Sequence, residues 1–577
     1  MEQEILKEKL EKIIDGDVTN SSDEITKHST DWSIFKITPK LIVYPKHTDD
    51  IKNLVKFVNE NKKQFPELSL TVRAAGSDMT GAPLNDSIIV DVTRYITDII
   101  SVEKKHGGEQ KSFFGHTYNI TGQATVLPGA MYRDFEKQTL KHNLIMPCYP
   151  ASKDICAVGG MVANNGAGER TLKYGQNKDF VKSLKVVMSD GNEYEVGPLT
   201  KIQLDQKISQ NDFEGNLYRD VWNLIEKTQK IINDKKPITS KNSSGYLIWD
   251  VWNPDTQVFD LTKMFVGAQG TTGIITEITY KLVDVEKHSD LLLVYAKDFD
   301  VVPELVSELM KSDLETLEVY DDNTFKIGVK FFRDFIRDKG FWESVRYSLR
   351  FFPEVWMAIT GGIPKLIIMA QFVSDDKDEL RAEAEQARDR INHIPVKTRI
   401  ITKDKSEEKF WDFRHDSFKL LTQHSSDSRK SGQGTRTAPF IDDIAINPEY
   451  LPEYLPRLIK ILEEYDLVYT VAGHLGNGNF HVIPLMDFND PQTEKTILEV
   501  ADKVYDLVHE FHGSYSAEHN DGLIRTPYLA QQFGNEMYEL FGEIKHIFDE
   551  HIIFNPGKKY GATLDDLKNA MIKPGDE

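Results

Sequence analysis

Apolar and polar residues alternate along Leu68–Val72, and Ser87–Val92 is again strand-like, with a glycine-bearing segment joining the two runs. From residue 37 to 285 the pattern remains mostly that of strands and glycine turns. Helical periodicity interrupts it at Ile51–Asn61, Met131–His142 and Leu217–Asn233. Beyond Lys287 strands alternate with longer helices, Val302–Lys311 and Lys377–Ile391 among them, which predicts an antiparallel sheet covered by helices. Residues 1–36 are charged and lightly amphipathic, fit for helices that pack on the outside. The fold class is therefore α+β, with no internal repeat, and a chain of 577 residues is too long for one core.

The glycine turns come in order: Arg73 to Gly81, Pro128-Gly129, Pro150-Ala151-Ser152, Gly159 to Gly168, and Gly267 to Gly273. Successive main-chain N–H groups in such a turn can cradle a pyrophosphate. A Rossmann fingerprint is absent, because no Gly-x-Gly-x-x-Gly opens a helix after an early strand with an acid about 20 residues on. In the second half, Gly473-His474-Leu475-Gly476-Asn477-Gly478-Asn479-Phe480-His481 is followed by Glu518-His519. Two imidazoles and a carboxylate form a common three-ligand set for a borderline divalent ion such as zinc or manganese, with positions left open for a substrate. His474, His481 and Glu518 are the candidate ligands, and His519 is a base beside them. The plainer alternative is a chance histidine pair in a glycine-rich stretch.

Taken together, the Arg73 loop, Gly159-Gly160-Met161-Val162-Ala163-Asn164-Asn165, Ser244-Gly245-Tyr246, the Gly267 loop, the histidine pair, Ala517-Glu518-His519 and Asn555-Pro556-Gly557-Lys558 stand in a family's order. They resemble the FAD-linked oxidases of the vanillyl-alcohol oxidase/para-cresol methylhydroxylase type, in particular the D-lactate, glycolate and D-2-hydroxyglutarate dehydrogenases. The resemblance runs from about Ile37 to Lys559. It implies a two-subdomain FAD-binding domain over 37–285, a cap with the metal site over 286–554, a return to the FAD domain over 555–577, and a helical extension over 1–36. Ala74, Ala75, Gly76, Ser77, Asp78 and Met79 would hold the pyrophosphate. Ser152, Gly159, Gly160, Asn164, Gly166 and Gly168 would line the ring and ribityl chain, and Ile275 would sit near the adenine. Arg73, Gly81, Pro128, Gly129, Gly270 and Asn555 complete the cofactor set so implied.

The implied reaction is oxidation of a 2-hydroxy acid, with a hydride leaving Cα for the flavin and the hydroxyl proton going to His519. Arg414 matches the family's substrate-carboxylate arginine, whose planar fork suits two oxygens, with Lys430 and Arg436 as further cations. A surface ion pair is the alternative for Arg414. A metal-free flavin oxidase and a non-catalytic flavin scaffold in a larger redox complex are the alternatives for the whole chain.

Departures from the family pattern sharpen the picture. Asp78 puts an acid where Ser or Thr is usual, so it must point away from the phosphates or cap a neighbouring N–H. Gln269 stands for Glu, and Asn520 for the glycine after Glu-His. Ile483 replaces an asparagine of the hydroxyglutarate enzymes, which argues for a more apolar acid, D-lactate or a longer homologue. No histidine stands in the Arg73 loop, so the FAD is expected to be non-covalent.

Charge and cysteine content narrow the partners. A net charge of −21 argues against a nucleic-acid ligand, whose phosphates it would repel. Two cysteines, Cys148 and Cys156, cannot ligate a four-cysteine iron–sulfur cluster, although the ending resembles members that work with one, so a separate iron–sulfur protein or a quinone is the expected electron acceptor. A charged start without an apolar signal core, and no run of eighteen apolar residues, point to a cytoplasmic protein. Residues 330–357 interleave Phe331, Phe335, Trp342 and Trp356 with Arg333, Arg337, Arg346 and Arg350. This suits peripheral contact with anionic lipid or a partner, or equally a buried aromatic insertion in the cap.

Overall fold

The computed structural model describes residues 1–113, 115–322, 364–402, 407, 410–411 and 435–576. Arg414, Lys430 and the segment 330–357 lie outside the described residues. Helices occupy Thr48–Asn61, Tyr132–Leu140, Phe213–Lys235, Val302–Leu309 and Lys377–Arg390, the places their apolar periodicity predicts.

The N-terminal lobe begins with a four-stranded sheet. Leu41–Tyr44, Ile88–Asp91 and Leu70–Arg73 run parallel, and Asp17–Thr19 joins the edge antiparallel. Every residue of Leu41–Tyr44 and Ile88–Asp91 is buried. Leu54, Val55 and Val58 of the helix Thr48–Asn61 cover one face, and Ile25 packs against Ile42, Tyr44 and Ile89 on the other. Residues 1–36 therefore do more than decorate the outside: they supply a strand and close the second face, as parallel strands require. A six-stranded antiparallel sheet follows, built on the hairpin Ile99–Phe113/His116–Val126 and on Ile274–Asp284 and Val181–Val187. Leu529, Phe533, Phe541 and Phe548 belong to its core, so the chain is back in this lobe by Leu529, upstream of residue 555.

The cap is an eight-stranded antiparallel sheet with His288–Ala296, Leu366–Ser374, Thr316–Asp321, Val468–His474 and Asn479–Asp487 as neighbours. Leu305, Ala384, Leu458 and Val504, one from each of four helices, pack on one face. The opposite face carries the histidines. Among the described residues no helix is long and apolar enough to cross a membrane.

Candidate active site

A strand presents alternate residues to one face. In the hairpin Val468–His474/Asn479–Asp487, Ala472 stands opposite His481 and Thr470 opposite Ile483, so Thr470, Ala472, His474, His481 and Ile483 share a face. Gly478 closes the turn at φ +63°, with no room for a side chain against the Ile446 carbonyl. Glu518 and His519 come from another segment. Asp443, itself left-handed at φ 68°, accepts the backbone N–H groups of Glu518 at 2.8 Å and His519 at 2.7 Å, and the Ser516 hydroxyl at 2.6 Å. Asn520 follows at φ 74°, a conformation asparagine tolerates better than most residues. Its amide donates to the carbonyls of Asn164 and Gly267, which explains the departure from glycine: it ties the cap loop to two flavin-side turns.

Three imidazole Nε2 atoms converge on Glu518 Oε1, at 3.2 Å from His474, 3.4 Å from His481 and 3.9 Å from His519. Each Nδ1 faces a carboxylate on its far side: Glu318 at 2.6 Å from His474, and Asp442 at 3.1 Å from His481 and 2.8 Å from His519. The other Glu518 oxygen accepts a hydrogen bond from buried Lys241 at 2.6 Å, which also donates to Asn479 at 3.0 Å. Burial alone would raise the Glu518 carboxyl and lower the His481 imidazole. Lys241 and His474 instead hold Glu518 well below the usual carboxylate range, and Asp442 with Glu518 pushes His481 up to about 10.

The donor set fits a divalent cation. Imidazoles whose Nδ1 atoms lie against carboxylates turn their Nε2 atoms inward, the usual second layer of a metal centre. Asp443 also lies close to His481, Glu518 and His519. Its oxygens already accept from two backbone N–H groups, the Ser516 hydroxyl and the Asn479 amide, while His474, outside that close group, approaches Glu518 Oε1 from the other side at 3.2 Å.

This cluster closes one end of a cavity of about 560 Å³. Its other walls include Ala74 to Met79, Pro128, Ser152, Gly159, Gly160, Asn164, Gly166, Gly270 and Ile275, all expected cofactor contacts. Five expected contacts stand behind the wall. Arg73 donates to the His28 and Thr30 carbonyls, Gly81 to Asp31, and Asn555 to the Ala82 and Gln269 carbonyls. Gly129 and Gly168 press against the Val92 and Tyr149 carbonyls with no space for a Cβ. They shape the loops instead of lining them. Asp78 caps its own turn, accepting from Thr80 and Ala82 N–H groups and the Asn164 amide, so its charge is occupied. Arg436 donates to the Asp576 carbonyl. Lys241, Glu318, Asp442 and Asp443 escape the sequence reading. Only the acid pair Asp442-Asp443 inside Phe440–Ala445, an unexpected charge in an apolar run, offered a signal.

The FAD binding domain family matches residues 39–197, and the family of FAD linked oxidases, C-terminal domain, matches residues 285–559. The chain belongs to the FAD-linked oxidases. This FAD-linked oxidase is 24% identical over 565 residues to the D-2-hydroxyglutarate dehydrogenase of Pantoea ananatis, covering 97% of this chain and 51% of that protein. It thus spans about half the length of that relative. It is 23% identical over 550 residues to the D-lactate dehydrogenase of Anaerostipes hadrus, covering 93% of both chains. A structure of p-cresol methylhydroxylase with substrate bound shares the fold, with a TM-score of 0.66, 15% identity and 98% of each chain covered.

Proposed function

We propose that this flavoprotein oxidises a 2-hydroxy acid with an apolar side chain, D-lactate or a longer homologue, to the 2-oxo acid. The supporting observation is one cavity that runs from the glycine loops to His481, Glu518 and His519. FAD, when bound along those loops, supplies the hydride acceptor. A divalent ion held by His474, His481 and Glu518 supplies a Lewis acid for the hydroxyl and carboxylate oxygens. His519, on the cavity wall with Nδ1 against Asp442, takes the hydroxyl proton at Nε2. Arg414 is proposed for the substrate carboxylate, and a separate iron–sulfur protein or a quinone takes the electrons.

Thr470, Ala472 and Ile483 form the cap wall beside this base, and two of the three have no polar side-chain atom. A second carboxylate, as in hydroxyglutarate, would lose hydration there without a partner at Ile483. Anaerobic bleaching of the flavin by a panel of 2-hydroxy acids tests the assignment. D-Lactate and D-2-hydroxybutyrate should exceed D-2-hydroxyglutarate by about tenfold or more in rate over KM, since an unpaired charged group costs roughly 1.5–3 kcal/mol. A preference for hydroxyglutarate refutes the apolar subsite, and no bleaching by any 2-hydroxy acid refutes the activity.

The cofactor should be dissociable. Cys156 lines the cavity, and burial pushes its thiol up to about 12, which leaves it a poor nucleophile. Acid precipitation should release FAD into the supernatant, and yellow colour retained in the pellet would reveal a covalent bond.

A further inference from the structure

Two adjacent acids, Asp442 and Asp443, are fully buried at the edge of the cluster and serve different ends. The left-handed backbone at Asp443 turns the second carboxylate toward the Glu518–His519 backbone, and leaves the first facing the imidazoles. Asp442 Oδ1 lies 3.1 Å from His481 Nδ1 and Oδ2 lies 2.8 Å from His519 Nδ1. The second contact is bent away from hydrogen-bond alignment, yet neither Oδ2 nor His519 Nδ1 has any hydrogen-bond partner among the described residues, so each is the partner within reach of the other. The two rings stack at 5.0 Å and 25° on the same side of that carboxylate. Arg525, itself fully buried, donates to the Asp442 carbonyl and to the Asn520 carbonyl, which fixes the backbone on both sides.

From this geometry we propose that Asp442 is a shared positioning residue: one carboxylate sets the tautomer of both the ligand His481 and the base His519, turning both Nε2 atoms to the same side. The inference rests on the metal-and-base reading above. A carboxylate has two acceptor oxygens, one for each Nδ1–H. An asparagine has one acceptor and one donor, so in Asp442→Asn only one imidazole keeps its N–H partner, and the other must flip its tautomer or its ring.

The test measures metal affinity by chelator competition with zinc and manganese, and the rate of flavin reduction at saturating metal and substrate, in FAD-loaded protein. Asp442→Asn should bind metal roughly 10–100-fold more weakly, the range for loss of a group that orients a ligand, and at saturating metal should still reduce flavin about tenfold or more slowly. Adding His519→Ala separates the two roles. In that background Asp442→Asn should weaken metal binding as before, while costing less than about twofold further in rate, because residues acting as one unit are non-additive. Loss of metal affinity alone, loss of rate alone, or rate losses that multiply in the double variant would each overturn the shared role. If Asp442→Asn does not retain FAD, Asp442→Ser, which removes both carboxylate oxygens, carries the same expectations. Wild-type protein that binds no metal and reduces flavin undiminished would overturn the metal reading and this proposal together. Metal dependence in the wild type with unchanged variants would overturn the proposal alone.

Discussion

His519→Ala should yield a yellow protein that keeps most of its metal and reduces flavin roughly 10²–10⁴-fold more slowly, the range for a positioned acid–base group. The expectation follows from geometry. His519 Nε2 is 3.9 Å from Glu518 Oε1, the longest of the three approaches, while its ring is the most exposed of the three and forms part of the cavity wall. That exposure on the cavity wall suits it to meet a substrate. Raising the pH should partly restore the variant's rate, because a substrate hydroxyl that ionises by itself no longer needs the missing base. Single-turnover flavin reduction across a pH series, with metal content measured on the same samples, checks both parts. Metal loss equal to that of a ligand variant would reassign His519 as a ligand.

Replacing either His474 or His481 by alanine should instead remove metal and turnover together. Each is one of the three proposed protein donors, and a divalent Lewis acid is worth several kcal/mol of charge stabilisation, a factor of about 10² or more in rate. Each substitution also takes an imidazole from a buried carboxylate, Glu318 at 2.6 Å from His474 and Asp442 at 3.1 Å from His481. Metal analysis and flavin reduction of the two variants check the expectation. Full activity in wild-type protein after exhaustive chelation, with no metal detected, would end the metal-assisted mechanism.

What was legible in the chain is local. Leu70–Arg73 reads as a strand and the glycines after it as a turn, which the structure places on the cavity wall, because backbone conformation is set within a few residues. The histidine pair reads as a tight hairpin for the same reason: six intervening residues with two glycines permit few geometries, and strand alternation then puts His474 and His481 on one face. Ile483, two residues beyond His481, falls on that face by the same rule.

What only the tertiary structure decided is the set of charges that make those groups usable. Glu318 reaches His474 across 156 residues, and Lys241 reaches Glu518 across 277. Nothing in the spacing of either residue marks it, since Glu318 reads as one more polar position of a strand and Lys241 as a loop cation. They become chemistry only when sheet register carries the strand Thr316–Asp321 beside Val468–His474 and the two lobes close over the cluster. A charge buried there must find a partner of opposite sign or it would not stay charged. Asp442 and Asp443 divide in the same way. Their sequence shows an acid pair in an apolar run, and only the left-handed turn at Asp443 sends one carboxylate to the Glu518–His519 backbone and the other to two imidazoles. The residue types of the site are thus local information, whereas their protonation, tautomers and direction are set by contacts that exist only after long-range packing has excluded water.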